Sequence, residues 1–245
     1  MLRIIYSIFR NLIRAYLVPL VHYVALHPDK FTVEQRYKLV RHIAKVIAKT
    51  SRVKTNIYGT DNLPSEGGYV MFPNHQGKYD VVAVVVGHSK PCSLVMDYER
   101  SNMYFVNEIM HLLEGKRLKR DDVRQAMKVI METASETKEG QRYILFPEGG
   151  YDRSKKNSLY DFKPGAFKAS LLSKTPIVPV VLYDTYKVFN RNSIRKAYNE
   201  VHYLEAIPYE DFKDLKTVEI ADLVKERIRL KLDELDSIYS ENCTA

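Results

Sequence analysis

Gly68-Tyr69-Val70-Met71-Phe72-Pro73-Asn74-His75-Gln76-Gly77-Lys78-Tyr79-Asp80 is the stretch whose reading decides how this chain folds. Gly68 to Phe72 reads as a short buried strand, and the continuously apolar run Val81 to Val86 reads as a helix that follows it. A histidine and a carboxylate five residues apart therefore sit on the bend between two core elements. Five residues of ideal helix turn through about 500°, roughly 140° in projection. The two side chains meet only if His75 lies at or before the helix start and Asp80 in its first turns. Pro73 and Gly77 permit such a bend. Paired in this way, the carboxylate would fix the imidazole tautomer and leave His75 able to act as a general base. An isolated His-x4-Asp is more often a capped or core histidine, so the rest of the chain has to carry the case.

Outward from this bend the texture alternates. Val53 to Tyr58, Ser93 to Met96, Arg142 to Phe146, Pro176 to Leu182 and Val201 to Ala206 read as strands. Helical spacing marks Met103 to Leu113, a long helix to Lys138 capped by Asp121-Asp122, a helix opening at Lys163-Pro164-Gly165 and ending near Ser173, and a C-terminal helix from Val218. Strands alternating with helices predict an α/β fold with a mainly parallel central sheet flanked by helices. In such sheets ligands bind at the C-terminal ends of the strands. His75 and Glu148 both fall there, Glu148 before Gly149-Gly150, where a backbone can approach a ligand closely. Lys116, Arg117, Lys119 and Arg120 crowd the approach to the long helix and read either as a solvated loop or as an anion site.

Residues 1–26 contain no Asp or Glu. Arg3, Ser7, Arg10, Asn11 and Arg14 fall within an arc of roughly 100°, and Leu2, Ile5, Phe9, Leu12, Ile13, Tyr16, Leu17 and Leu20 cover most of the remainder. That pattern predicts a helix lying in a membrane interface, ahead of an amphipathic helix packed on its own domain. Three arginines leave too short a charge-free run for a spanning helix, and no small-residue cleavage site follows Leu26. Pro19 should kink or divide the helix. A second, basic helix runs from Thr32 to about Lys49. The organisation predicted is an N-terminal helical membrane-anchoring hairpin, 1–50, ahead of a domain spanning 51–245.

The chain has 245 residues, and its 38 Lys+Arg against 30 Asp+Glu give a net charge of +8. This favours anionic partners such as a membrane surface, nucleic acid or a phosphorylated substrate. No nucleic-acid motif is present. Cys92 and Cys243 offer neither metal-ligand spacing nor a disulfide framework.

Four pieces in order resemble the 1-acylglycerol-3-phosphate acyltransferases. Asn74 to Asp80 is similar to their NHQ-x3-D motif, and Gly115 to Arg120 to a second block ending in arginine. Phe146-Pro147-Glu148-Gly149 matches FPEG, and Ile177-Val178-Pro179-Val180 resembles a last motif with proline. Asn62-Leu63-Pro64 and Phe162 to Phe167 support the match. The resemblance implies acyl transfer from a thioester, acyl-CoA or acyl-ACP, to the free sn-2 hydroxyl of lysophosphatidic acid, with no cofactor and no metal. It implies His75 as base, Asp80 as its orienting carboxylate, and a substrate site made of Asn74, Gln76, Arg117 or Arg120, Glu148, Gly149, Arg153, Lys163 and Gly165. It further implies peripheral or monotopic attachment at the cytoplasmic side of the cell membrane. Glycerol 3-phosphate or another lysophospholipid as acceptor, and a non-catalytic basic membrane- or nucleic-acid-binding protein, are the alternatives. Two departures bear on the acceptor. Gly150-Tyr151-Asp152 separates Gly149 from Arg153-Ser154, where the family reads FPEG-Thr-Arg-Ser, and Lys116, Arg117 and Lys119 replace residues that are usually apolar.

Overall fold

The computed structural model describes residues 2–152, 154 and 156–241. Two helices open the chain, α1 (Leu2–Arg10) and α2 (Leu17–Leu26), and α1 is bent by 58° against the segment Leu12–Leu26 that contains α2. The break precedes Pro19 instead of falling on it. Pro19 occupies the first turn of α2, where a missing N–H costs no helical hydrogen bond. Then follows α3 (Val33–Thr50), whose Thr32 side chain accepts from the Gln35 N–H while the Gln35 side chain reciprocates, a capping box. After it come β1 (Val53–Tyr58), β2 (Tyr69–Pro73), α4 (Asp80–Gly87), β3 (Ser93–Asp97) and α5 (Tyr98–Ser101). Next are α6 (Val106–Leu112), β4 (Lys116–Leu118), α7 (Val123–Lys138) and β5 (Arg142–Leu145). The chain ends with α8 (Lys168–Ser173), β6 (Ile177–Tyr183), α9 (Tyr186–Phe189), β7 (Ala197–Tyr203) and α10 (Thr217–Glu241).

The seven strands form one sheet in the order β1-β7-β6-β2-β5-β3-β4. Strands β6, β2, β5, β3 and β4 run parallel, so the expected mainly parallel α/β sheet is present. The single reversal is β6 against β7, with β1 parallel to β7. Two differences from expectation stand out. The charged run at Lys116 to Leu118 is an edge strand on β3, which tolerates charge because one of its sides faces solvent. The helix expected over Met103 to Leu113 is shorter, α6 alone, and starts only after Phe105, which sits at φ 69°; α5 is a separate turn of helix ahead of it.

Each face of the sheet carries its own core. Tyr69, Met71, Val178, Val180 and Val201 pack under α3 and α4, while Val70, Phe72, Val181, Tyr143 and Ile144's neighbour Leu145 pack under α7, α8 and α10. The alternation along β2, with Tyr69 and Met71 on one side and Val70 and Phe72 on the other, is the period of a strand buried on both faces.

The reversal at β7 has a positional effect. Tyr183, the last residue of β6, lies opposite Glu200, so β7 begins beyond the C-terminal end of β6. Residues Thr50, Ser51 and Arg195 are thereby brought to the sheet edge from which His75 emerges. There they receive α1, by its polar side. Arg3 donates to the carbonyls of Ser51 and Arg195, both at 2.8 Å, and the Ser7 and Asn11 side chains meet the Thr50 hydroxyl at 3.0 and 2.9 Å. Arg3 is 2 % exposed, whereas Ile13 is 91 %, Phe9 68 % and Leu12 60 % exposed. The helix is packed on its own domain, but with its apolar face outward.

Candidate active site

Asp80 is the first residue of α4 and is fully buried. Its Oδ2 accepts from the Gln76 N–H at 2.5 Å, the Gly77 N–H at 2.8 Å and His75 Nδ1 at 2.7 Å; the Thr185 hydroxyl donates to Oδ1 at 2.7 Å. Donors from the loop and from Thr185 thus converge on both oxygens of this carboxylate at the start of α4. Because it accepts from Nδ1, the proton of the neutral imidazole resides there and Nε2 carries the lone pair. The ring of His75 lies between Phe146 and Tyr151, with centroids 4.3 and 4.6 Å away. No serine hydroxyl or thiol hydrogen-bonds to Nε2 among the described residues.

The chain has a contrasting histidine. His88 is completely buried, its Nδ1–H donating to the Lys90 carbonyl and its Nε2 accepting from the Tyr69 hydroxyl, both at 2.7 Å. Burial pulls its pKa down to about 4, so it is a neutral core histidine with both nitrogens committed. His75 differs in leaving one nitrogen free.

Asn74 and Gln76, expected to touch substrate, do something else. Asn74 donates to the Leu182 carbonyl at 3.0 Å and accepts its N–H at 2.7 Å; Gln76 donates to the same carbonyl at 2.7 Å and to Asn157 at 2.9 Å. Both are nearly fully buried. Their amides tie the His75 loop to β6, as strand-like partners a flexible bend lacks, and have no polar atom turned to a ligand. Asn190 adds a bond to the Gln76 carbonyl at 2.9 Å, and a Cβ on Gly77 would meet the same amide at 2.8 Å. Gly77 is therefore required for this close approach.

Glu148 follows β5 and lies beside His75, its Oε1 accepting the His75 N–H at 3.1 Å. Burial, first, and the Asp80 charge push its pKa up to about 8, against the pull of the His75 N–H. At neutral pH it is a carboxylic acid. Among the described residues its Oε2 is buried with no hydrogen-bond partner, so an acid O–H there is available to an oxygen acceptor. A carboxyl whose pKa is raised on folding adds stability below its ordinary value near 4.5 and loses that contribution as pH rises through about 8. Glu148→Gln is expected to flatten this dependence: chemical denaturation at pH 5 and pH 9 should show a smaller loss of stability in the variant than in the parent. An equal loss would show that Glu148 does not titrate in this range.

Three cations approach the backbone just after Glu148. A Cβ on Gly149, which sits at φ 69°, would lie 2.9 Å from Lys163 Nζ, and one on Gly150 would lie 3.2 Å from Arg120 Nη1. Arg100 Cζ stands 5.4 Å from the Tyr151 ring centroid. Arg120 also pairs through Nε with Asp97 Oδ2 at 2.7 Å. Arg117, the other candidate of the basic run, turns away to donate to Asn107 Oδ1 at 2.8 Å. Arg120 borders an open hollow of about 670 Å³ as well, but Asp97, Glu99, Asp121 and Asp122 outnumber the cations there, so an anion is favoured on the Gly150 side. A Cβ on Gly165 would meet open space. Arg153 lies outside the described residues. Thr185, Asn190, Asn157, Asp97 and Arg100 carried no sequence signal, since each meets the site through tertiary contact alone.

The sequence profile described as Acyltransferase matches residues 54–183. The chain is 24 % identical to the 1-acyl-sn-glycerol-3-phosphate acyltransferase of Borreliella burgdorferi over 80 % of its own length and 79 % of that protein's. It is 28 % identical to that of Saccharomyces cerevisiae over 73 % of its length and 60 % of the yeast protein's. In fold it is similar to the 1-acyl-sn-glycerophosphate acyltransferase of Thermotoga maritima, with a TM-score of 0.71 at 19 % identity, covering 94 % of this chain and 98 % of that one. With a matched region that runs from β1 to the end of β6 and holds His75, Asp80, Arg120 and Glu148, the chain belongs to the acyltransferase family.

Proposed function

We propose that this acyltransferase moves a fatty acyl group from an acyl thioester to the free sn-2 hydroxyl of a 1-acylglycerol 3-phosphate, giving phosphatidic acid in phospholipid synthesis. The observation that carries the reading is His75, whose Nδ1–H is tied to Asp80 while Nε2 faces no protein nucleophile. The nucleophile is then the hydroxyl of the acceptor. Nε2 takes its proton as the oxygen attacks the thioester carbonyl, and the imidazolium is stabilised by Asp80. When the tetrahedral adduct collapses the C–S bond breaks, and the thiolate of acyl-CoA or acyl-ACP takes the proton back. The N–H groups of Gln76 and Gly77 are committed to Asp80, so the oxyanion finds its donors elsewhere; the Glu148 acid is one that stands beside His75. Arg120, in preference to Arg117, and Lys163 bind the acceptor's phosphate, for which a guanidinium fork is suited.

Residues 1–50 serve as the membrane-anchoring hairpin at an anionic, cytoplasmic leaflet. The support is the outward apolar face of Phe9, Leu12 and Ile13 on the same sheet edge as His75. No single described helix is long and apolar enough to cross a membrane, and a helix of this kind lies in the interface. Phe9→Glu and Ile13→Glu should each weaken sedimentation with anionic vesicles about tenfold or more, since an apolar side chain of this size contributes roughly 1.5–3 kcal/mol when buried. Both residues are exposed, so folding is unaffected. Unchanged sedimentation would reject the interfacial reading. The activity itself is tested by offering a panel of lysolipids and glycerol 3-phosphate with both donor types and identifying the acylated product by mass. A product from any acceptor other than 1-acylglycerol 3-phosphate alone would overturn the assignment.

A further inference from the structure

Gly149, Gly150 and Tyr151 form a short backbone ledge next to His75, and one cation reaches each residue of it. Lys163 comes from the chain before α8, Arg120 from the end of β4 and Arg100 from α5. Arg100 belongs to none of the motifs in the sequence. Its guanidinium carbon is 5.4 Å from the centre of the Tyr151 ring, which also meets the ring of His75 in a T-shaped contact at 4.6 Å. Asp97 fixes both arginines: Oδ2 pairs with Arg120 Nε at 2.7 Å, and Oδ1 accepts the Arg100 backbone N–H at 3.2 Å. The pairing reduces the net charge that Arg120 presents. The Arg100 guanidinium makes no ion pair among the described residues and keeps its five N–H donors.

We propose that Arg100 is a phosphate ligand of the acyl acceptor, carried over Tyr151 to complete with Arg120 and Lys163 a three-cation cradle beside His75. The proposal rests on the acceptor reading above. A phosphomonoester dianion has three terminal oxygens, more than Arg120 can serve while it holds Asp97. The acceptor's hydroxyl and phosphate are separated by one short glycerol backbone. With the hydroxyl on His75 Nε2, the phosphate falls within reach of groups one or two ring contacts away, which is where Arg100 stands. The Tyr151 face holds the guanidinium by a cation–π contact, without the carboxylate that would neutralise it. Tyr151 occupies a position after Gly149 that the related motif fills differently, and it supplies this arm with its support.

The test uses the full chain on vesicles. Arg100→Met keeps a stem to pack on Tyr151 and removes only the charge; Arg100→Lys restores the charge. With Arg100→Met, kcat/KM for 1-acylglycerol 3-phosphate should fall about 10- to 100-fold through the acceptor KM. The thioester KM should stay constant, and so should the much slower reaction of an uncharged monoacylglycerol. Arg100→Lys should recover part of the loss. Equal losses on the charged and uncharged acceptors would mark Arg100 as a structural prop and overturn the proposal. A rise in the thioester KM alone would assign it to the phosphates of the donor and overturn it too. Binding is read separately as the rise in Tm on adding glycerol 3-phosphate, expected in the parent and reduced in Arg100→Met. A parent that shows this shift but acylates no 1-acylglycerol 3-phosphate rejects the acceptor reading, and the shift in the variant still decides the arginine.

Discussion

His75→Ala is expected to lower kcat for acyl transfer by about 10²–10⁴-fold, the contribution of a positioned general base. Thiol release from the thioester in the presence of a lysolipid acceptor measures it directly. The loss should be one of rate and not of structure. The His75 side chain is 17 % exposed, and its removal leaves Asp80 with the Gln76 and Gly77 N–H groups and the Thr185 hydroxyl. Sedimentation with vesicles and Tm should therefore match the parent, because α1 and its apolar face are held by Thr50, Ser51 and Arg195. Undiminished turnover would remove His75 from the mechanism. A fall in turnover accompanied by a large drop in Tm would recast it as a structural residue.

Asp80→Asn separates the two parts the carboxylate plays. An amide cannot accept from His75, Gln76, Gly77 and Thr185 together, since one of its two heteroatoms is a donor. Chemically, the imidazole loses the partner that fixes its proton on Nδ1, and kcat should fall on the scale of the His75 variant. Structurally, the His75, Gln76 and Gly77 N–H groups then share a neutral amide oxygen in place of a carboxylate oxygen, and the amide NH₂ faces the Thr185 hydroxyl, which turns its proton to Gln76 Oε1. With a charge-assisted hydrogen bond worth about 1 kcal/mol more than a neutral one, weakening of these shared bonds predicts a loss of about 3 kcal/mol, lowering Tm by about 6–12 °C in a chain of this size. Differential scanning calorimetry with the thiol-release assay distinguishes this variant from His75→Ala: one loses rate alone, the other loses rate and stability. A normal Tm in Asp80→Asn would mean that the loop does not depend on its carboxylate.

What was legible from the chain follows the range of the interactions. His75 and Asp80 are five residues apart, so helix geometry alone predicts when they meet, and the bend between β2 and α4 supplies that condition. Glu148 was placed by the same local logic, an apolar strand running into glycines. The support of the loop was not legible. Asn74 and Gln76 bond to Leu182, 108 and 106 positions away, and Thr185 reaches Asp80 across 105. No periodicity reports a contact at that distance, and the amides next to a candidate catalytic histidine look like substrate ligands until their partners are seen. Nor could the crowding of Lys116 to Arg120 say which cation faces the site. That choice depends on which face of the edge strand β4 each side chain leaves, and Arg117 leaves it toward Asn107. For α1 the two arcs are legible, and the membrane-interface reading turns the apolar one away from the domain, where it stands; the docking of the polar arc on Thr50, Ser51 and Arg195 is not legible, because no periodicity names a partner.

That orientation inverts the tolerance to mutation expected along a surface helix. On an ordinary amphipathic helix, changing leucines and isoleucines unfolds the protein and changing arginines does little. On α1 it is Arg3, Ser7 and Asn11 that fasten the helix to Thr50, Ser51 and Arg195, and Leu2, Ile5 and Ile8 that stand exposed. A saturation library scored for folding in water would find the apolar positions permissive and the polar ones constrained. Scored for growth on the enzyme's product, the same apolar positions would become constrained as well. The difference between the two maps would draw the outline of the lipid contact, residue by residue.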